Sequence, residues 1–187
     1  MTLTRRHWWI IAGTVLVAVA VEWWMGRLPL GPDGRFGWFE GDIWSSAQSQ
    51  RVIDPYSVSH LVHGFLFFGV LYLAARRAPI AVRFLAAIAL EAAWEVLENS
   101  PVVIDRYRAV TIAQGYVGDS ILNSVSDIAM AAIGFLVAWR VRVAVSVALV
   151  VAAELLMLVL IRDNLTLNIV MLVWPVEAIR AWQMAGH

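Results

Sequence analysis

Long apolar runs, separated by polar or arginine-bearing segments, dominate the pattern of the chain. The five longest runs are Trp8–Met25, Val58–Ala75, Ile80–Leu97, Asp119–Trp139 and Val143–Ile161. Each has about 18 residues or more, which is the length that an α-helix needs to cross a hydrocarbon layer of ~30 Å. The pattern therefore predicts an all-α fold, a polytopic transmembrane helical bundle with five crossings.

Two polar segments and a C-terminal tail complete this single membrane domain, which covers residues 1–187. Residues 26–55 and 99–118 are predicted to be long periplasmic loops. The apolar stretch Leu165–Trp174 is too short to cross alone, and Pro175 follows it. It is either a short re-entrant or interfacial helix, or part of a sixth, proline-kinked crossing over Asn164–Trp182.

The positions of the arginines orient the predicted bundle. If the helices alternate in direction, one side receives the N-terminus and the short connections, which contain Arg5, Arg6, Arg76, Arg77, Arg83, Arg140 and Arg142. The arginines on the other side are mixed with acidic residues in long loops. Because short arginine-bearing loops stay in the cytoplasm, we expect a multi-pass protein of the bacterial inner membrane with its N-terminus in the cytoplasm.

Composition supports the membrane assignment and excludes some functions. The chain is 61% hydrophobic and 15% charged, whereas a soluble domain is about 45–50% apolar and about 25% charged. It has no cysteine, which excludes disulfides and thiolate metal sites. The net charge is zero, so the chain lacks the basic excess of a nucleic-acid-binding protein.

Ionisable and amide side chains interrupt the apolar runs in their predicted outer halves: His60, His63, Glu91, Glu95, Glu98, Asp119, Asn123, Asp127 and Glu154. Residues three or four positions apart lie on one helix face, so each helix presents one polar edge. A charged group at the bilayer centre costs about 2.5–3.5 kcal/mol. We therefore expect a polar cleft among the second to fifth helices, open to the periplasm. Glu22, beside Trp23 and Trp24, is expected to be merely interfacial.

One interpretation of the cleft is a metal site. Imidazole and carboxylate side chains spaced by three or four residues on neighbouring helices are the usual ligands of metals in helical bundles. We predict the ligands to be His60, His63, Glu95 and Asp119, or Asp127 in place of Asp119. The ion would be divalent (Zn, Fe or Mn), and an open coordination position would activate water.

A second interpretation is metal-free acid/base catalysis, in which neighbouring carboxyl groups have pKa values shifted in opposite directions. The candidate catalytic residues are Glu91, Glu95, Asp119, Asn123 and Asp127. The guanidinium groups of Arg106, Arg108 and Arg162 suit an anionic group of the substrate. Either interpretation predicts a membrane-embedded hydrolase or lipid-modifying enzyme that acts on a lipid or lipid-linked substrate.

A third interpretation gives the polar residues no catalytic role. Buried polar side chains stabilise helix bundles in membranes by about 0.6 kcal/mol each. The protein would then be a non-enzymatic subunit or assembly factor, whose polar residues hold the fold together or bind a partner membrane protein. A transporter is disfavoured, because the inner half of the bundle contains no polar path.

Four segments resemble an uncharacterised polytopic inner-membrane family of proteobacteria, a domain of unknown function: SHLVHGFLFFG, EAAWEVLENSPVVIDRYR, GDSILNSVSDI and IRDNLTLNIVMLVWPVEAIRAWQ. The resemblance extends over most of the chain from Asp54 to Gln183. It implies a bacterial inner-membrane protein and no particular activity. A fainter similarity, to VanZ-like membrane proteins, involves Asp119 and Asn123; Ser126 and Asp127 stand where that family has glycine.

Overall fold

Helices form most of the part of the chain that the structure, a computed structural model, describes, which is residues 1–185. The described helices are α1 (Arg5–Trp24), α2 (Ser57–Ala74), α3 (Ile80–Glu98), α4 (Pro101–Val110), α5 (Ile121–Arg140), α6 (Val143–Ile161), α7 (Leu165–Val173) and α8 (Glu177–Met184). Within residues 1–185 the only β pairing is an isolated bridge between Phe39 and Ile53. The predicted all-α class is confirmed.

Within residues 1–185, four helices are long and apolar enough to cross a membrane: α1, α2, α5 and α6. Helix α3 has nearly the same length, 19 residues, but it contains four charged residues (Arg83, Glu91, Glu95 and Glu98). It packs against α1, α2 and α5. The prediction of a polytopic helical bundle is therefore confirmed, and its most polar long helix lies among the apolar ones.

Helix α4 lies within the segment 99–118, where only a loop was predicted. Ser100 caps its N-terminus by accepting a hydrogen bond from the Val103 amide, and Pro101 is the first helical residue. Both are favourable at a helix start. The ten residues of α4 contact α7 and α3, so they form a cover over one end of the bundle.

The C-terminal tail consists of two short helices, α7 and α8, which are separated at residues 174–176. The Asn164 side chain caps α7, and the Glu154 carboxylate accepts hydrogen bonds from the amides of Leu165 and Thr166. Neither helix is long enough to cross a bilayer alone. The tail is thus two helices, and whether it is re-entrant, interfacial or part of a sixth crossing stays a prediction.

The closest helix contact joins α2 and α5 through two glycines. A Cβ atom added to Gly64 would lie 2.1 Å from the Ala131 carbonyl oxygen, and one added to Gly134 would lie 2.0 Å from the Leu61 carbonyl oxygen. Small residues let helix backbones approach closely in membranes. The contact fixes the rotation of α2 about its own axis. Because His63 is adjacent to Gly64, this rotation sets the direction in which the His60 and His63 side chains point.

An apolar core occupies one half of the bundle and its centre. Its buried members come from α1, α3 and α5: Ala18, Phe84, Ala87, Ile88, Ala92, Ile128 and Phe135. The buried polar side chains lie nearer the opposite ends of the same helices, beside the two long loops. The bundle thus has an apolar half and a polar half.

Candidate functional site

Two histidines of α2 face one glutamate of α3 in the polar half. His60 Nδ1 lies 2.6 Å from Glu91 Oε1, and His63 Nδ1 lies 3.1 Å from Glu91 Oε2. The two helices are consecutive and antiparallel, so the first turns of α2 reach the same depth as the last turns of α3. A spacing of three residues places both imidazoles on one face of α2.

A second glutamate shares the same imidazole nitrogen. Glu95 Oε1 is 3.1 Å from His60 Nδ1, and no other described group donates a hydrogen bond to either Glu95 oxygen. Glu91 and Glu95 are both 0% exposed. A single N–H cannot serve two carboxylates well, so Glu95 is a buried carboxylate with too few donors.

Asp127 of α5 lies on the other side of the same ring. Its Oδ2 is 3.9 Å from His60 Nε2, and its Oδ1 has no hydrogen-bond partner among the described residues. We call His60, His63, Glu91, Glu95 and Asp127 the His–Glu cluster. Within residues 1–185, no arginine forms an ion pair with its three carboxylates.

The donor atoms of the His–Glu cluster suit a cation. Three buried carboxylates face two imidazoles, and a buried charge is costly unless it is paired. Nitrogen and oxygen ligands at ~2.0–2.2 Å from one metal ion lie about 3–3.5 Å from each other, close to the imidazole–carboxylate distances of 3.1 and 3.2 Å at His63. The ligand atoms of His60, His63 and Glu91 all lie within 4.8 Å of one another, so these residues can hold a metal.

A second possible ligand group shares His60 and combines it with Glu95 and Glu98. The predicted set of His60, His63, Glu95 and Asp119 is therefore only partly brought together. Glu91, which the sequence indicated as a catalytic residue, lies at the centre of the first group. Asp119 belongs to neither group.

Asp119 lies instead in a second polar region, because it precedes α5 and packs against the end of α3. Its Oδ2 accepts a hydrogen bond from Asn99 Nδ2 at 2.9 Å, and its Oδ1 accepts one from the Tyr116 hydroxyl at 3.0 Å. Its backbone amide donates to Asn99 Oδ1 at 2.7 Å. Burial raises the pKa of the Asp119 carboxyl, and burial together with Asp119 raises the pKa of Tyr116.

Asn123 has a structural contact that explains its burial. Its Nδ2 donates to the Arg51 carbonyl oxygen at 3.0 Å, and it also lines the cavity described below. Asp54, which the sequence did not single out, accepts hydrogen bonds from the amides of Tyr56 and Ser57 at the start of α2. Burial and the nearby Asp119 carboxylate raise the pKa of Asp54 to about 6.

A cavity of about 900 Å³ connects the two polar regions. Residues of α2, α3, α4, α5 and α7 line it, together with residues of the segments 43–49 and 112–117. Its polar wall includes Asp54, Tyr56, His60, His63, Glu98, Tyr107, Tyr116, Asp119, Asn123 and Asp127; its apolar wall includes Leu66, Phe67, Leu90, Trp94, Leu97, Ile169 and Leu172. No arginine of the described residues lines it, and the chain has no lysine.

The three arginines predicted to bind an anionic group lie outside this cavity. Arg106 Nε donates to the Leu172 carbonyl oxygen, Arg108 Nε to that of Tyr116, and Arg162 to that of Trp182. Their guanidinium groups thus join α4 to α7, α4 to the 112–117 segment, and the end of α6 to α8 by hydrogen bonds. The structure does not bring them together with the His–Glu cluster.

Glu22 was expected to be interfacial, but it is buried. It is 1% exposed, and its carboxylate faces Asp119 and Ser124 from α1. A signal for this was present in the sequence: Ala18 and Glu22 are four residues apart, so they lie on one face of α1, and both are buried in the bundle.

Comparison with known proteins places the chain in a family. Residues 22–185 match the family model described as protein of unknown function (DUF2585). The chain belongs to this family. It is similar to UPF0314 proteins of Rhizobium johnstonii (47% identity, 96% of this chain and 93% of the relative), Sphingopyxis alaskensis (49%, 98% and 98%) and Novosphingobium aromaticivorans (51%, 93% and 90%). No solved structure matches the chain.

Proposed function

We propose that the protein is a metal-dependent hydrolase of lipid-borne esters, embedded in the bacterial inner membrane. The observation that carries the proposal is the convergence of His60, His63 and Glu91 on one point beside a cavity with a largely apolar wall. Two imidazoles and a carboxylate form a ligand set of zinc hydrolases and of non-haem iron sites. The apolar wall suits a substrate with hydrocarbon chains.

The metal would make water reactive in a site that excludes bulk solvent. A bound divalent ion lowers the pKa of water and polarises the oxygen of an ester. Glu95 is the candidate general base, because it is buried, adjacent to His60 and short of hydrogen-bond donors. Asp127 would orient the His60 ring, as carboxylates beyond the metal ligands commonly do.

The reaction is a hydrolysis without any redox change. Water gives one proton to Glu95, and its oxygen forms a new bond to the carbonyl carbon or phosphorus of the ester. The bond between that atom and the leaving oxygen then breaks. Glu95 returns the proton to the leaving alcohol, so that one ester and one water yield one acid and one alcohol.

The membrane orientation is part of the same proposal. The arginine-bearing ends of α1, α2, α3 and α5 would face the cytoplasm, with α3 as the fifth crossing. The cavity would then open towards the periplasmic side, where the substrate would be a lipid of the outer leaflet. The segments 26–55 and 99–118 would be periplasmic, and α7 and α8 would lie in the interface.

Two single variants separate a metal ligand from a base. His63→Ala removes a ligand, so it should abolish both the bound metal and hydrolysis of a fluorogenic short-chain phospholipid or acyl ester by the purified protein. Glu95→Ala should retain the metal and lose at least about 100-fold in kcat, the usual contribution of a general base. His7→Ala, at the beginning of α1 and outside the cavity, is the matched histidine control.

The non-enzymatic alternative makes a different prediction for the same variants. If the polar residues only fasten the helices, the wild-type protein should bind no stoichiometric metal and hydrolyse neither ester. His63→Ala and Glu95→Ala would then change the thermal unfolding temperature alone. That outcome would contradict the proposal.

A further inference from the structure

The cavity beside the His–Glu cluster opens sideways, at apolar side chains that belong to three different helices. Leu66 of α2, Leu90 of α3 and Ile169 of α7 line the cavity, and they are 45, 47 and 49% exposed. A side chain that lines a cavity and is also about half exposed lies at the rim of that cavity. We call these three residues the lateral opening.

The α3 side of the lateral opening continues onto the outer surface of that helix. Ala93 lines the cavity and is exposed. Val82, eleven residues earlier, lies away from the cavity and is 49% exposed. Eleven residues make about three turns of an α-helix, so Ala93 and Val82 lie on the same face of α3. The cavity is therefore continuous with the outward face of this helix.

The lateral opening lies at the middle of two long helices. Leu66 is the tenth of the 18 residues of α2, and Leu90 is the eleventh of the 19 residues of α3. At a rise of about 1.5 Å per residue, each lies about 12 Å or more from both ends of its helix. Helix α2 is long and apolar enough to cross a membrane. Both residues therefore lie at the depth of the centre of a hydrocarbon layer of ~30 Å.

An apolar passage leads from the lateral opening to the His–Glu cluster. Phe67 and Trp94 line the cavity, and the centroids of their rings are 5.8 and 6.0 Å from that of His63. The His63 side chain is only 13% exposed, and its Nδ1 is 3.1 Å from Glu91 Oε2. A ligand that enters at the opening thus passes two aromatic rings and meets an imidazole of the candidate metal site.

A hydrocarbon chain fits this geometry better than a protein partner does. The opening continues into a cavity of about 900 Å³, so its occupant has to reach inwards. A second copy of the chain or a partner helix has a diameter of about 10 Å, which would cover the opening without entering it. An extended hydrocarbon chain is one methylene wide, and it enters from the surrounding lipid without losing any hydration.

We infer that the lateral opening admits one hydrocarbon chain of a membrane lipid from the side. The chain lies across Leu66 and Leu90, while the polar group at its end reaches His63. The inference rests on the proposed function only in making this lipid the substrate. It then specifies a substrate class: esters of long acyl chains that stay in the bilayer during the reaction, in preference to short, water-soluble esters.

Photolabelling tests the entry of the chain without any catalysis. Full-length protein is placed in nanodiscs with EDTA and a phosphatidylcholine that carries a diazirine on its acyl chain, close to the ester. After irradiation, mass spectrometry should find the label on His63. Leu90→Trp should reduce this label at least about fivefold, because the larger side chain obstructs the opening. Leu73→Trp, at a position that is 80% exposed on α2 and outside the cavity, should leave it unchanged.

A second variant obstructs the opening from another helix. If Leu90→Trp does not fold, Ile169→Trp should reduce the label on His63 in the same way from α7. A water-soluble diazirine alcohol controls for entry from the aqueous side. It should label His63 to the same extent in the wild type and in both variants, because its route does not pass the lateral opening.

Chain-length selectivity tests the part of the inference that concerns the substrate. For a long-chain acyl ester in mixed micelles, Leu90→Trp should lower kcat/KM at least about tenfold, whereas for the corresponding butyryl ester the change should be less than about twofold. Leu73→Trp should alter neither value. Equal losses for the two esters would contradict the assigned role of the opening.

Two labelling results would overturn the inference. The first is a wild-type protein without label on His63, the outcome expected if a second copy or a partner helix covers the opening. The second is equal labelling of His63 by the lipid in the wild type, Leu90→Trp and Ile169→Trp. A protein whose His63 is labelled through the opening but which hydrolyses no ester would contradict the proposed hydrolase and leave the lateral entry of a lipid chain standing.

Discussion

The apolar and polar halves of the bundle are built by the same helices and yet differ in what they bury. In the apolar half, Phe84 and Phe135 pack together with small residues of neighbouring helices. In the polar half, Glu91, Glu95 and Asp127 bury carboxylates beside two histidines. Close packing therefore stabilises the apolar half. The polar half buries carboxyl groups at an electrostatic cost, which a bound cation can offset.

The largest expected effect comes from separating α2 and α5. Gly134→Leu would force a side chain into the backbone of α2, where a Cβ alone would lie 2.0 Å from the Leu61 carbonyl oxygen. We expect a loss of at least about 3 kcal/mol, the upper range for overpacking, and little folded protein by size-exclusion chromatography. Gly69→Leu is the matched control, because no atom lies within 4 Å of a Cβ at Gly69. Equal yields of the two variants would contradict the assigned contact.

The second effect tests the apolar half. Phe135 is 0% exposed and contacts the rings of Phe68 and Phe84. Phe135→Ala should lower the free energy of unfolding by about 3 kcal/mol through the cavity that it leaves. Leu73→Ala, at a position that is 80% exposed on α2, should change it by less than about 0.5 kcal/mol. Unfolding by SDS in mixed micelles measures the change in the free energy of unfolding for both variants. A loss below about 1 kcal/mol for Phe135→Ala would show that Phe135 is not part of the core.

The polar half should respond in the opposite direction. Glu95→Gln removes a buried carboxyl group that lacks hydrogen-bond donors and keeps the shape of the side chain. In the presence of EDTA, the variant should be as stable as the wild type or more stable by about 1 kcal/mol. With a divalent metal added, the wild type should gain the larger increase in thermal unfolding temperature. A loss of more than about 1 kcal/mol in EDTA would show that Glu95 stabilises the metal-free fold.

The smallest effect is a pH dependence at the edge of the polar half. The pKa of Asp54 rises on folding from 3.8 to about 6, first through burial and then through Asp119. The folded state therefore holds this proton more tightly, so its contribution to stability is fully present below pH 3.8 and is lost as pH rises through about 6. Asp54→Asn should flatten the decline between these pH values in thermal unfolding curves.

Asp33 supplies a control of opposite sign. Hydrogen bonding to Arg51 lowers the pKa of Asp33 from 3.8 to about 2. Its contribution is therefore present above pH 3.8 and is lost as pH falls through about 2. Asp33→Asn should leave the curve between pH 4 and 6 unchanged. A flattened curve in that range for Asp33→Asn, or an unaltered one for Asp54→Asn, would contradict the assignment.

The long helices were predictable because hydrophobicity along the chain sets their length. The predicted run Val143–Ile161 coincides with α6. The start of α5 differs by two residues because Ser120, rather than Asp119, caps it through the Asn123 amide. Helix α4 was missed because it is short and Asp105, Arg106 and Arg108 interrupt its apolar residues, although Ser100 and Pro101 form a recognisable helix start.

The residue types of the His–Glu cluster were predictable, but their pairing was not. Spacing alone placed His60 and His63 on one face and Glu91 and Glu95 on another. It could not decide which carboxylate meets the imidazoles, because that depends on the rotation of α2, which the contact between Gly64 and α5 fixes. Glu22 and the tyrosines of the cavity were missed because their burial arises from contacts between distant segments.

The metal content of the purified protein tests the central claim most directly. Protein extracted without chelators should contain about one divalent ion per chain by elemental analysis, and Glu91→Gln, which removes the shared carboxylate ligand, should contain almost none while remaining folded. Wild-type protein without stoichiometric metal, or an equal metal content in Glu91→Gln, would contradict the claim that His60, His63 and Glu91 form a metal site.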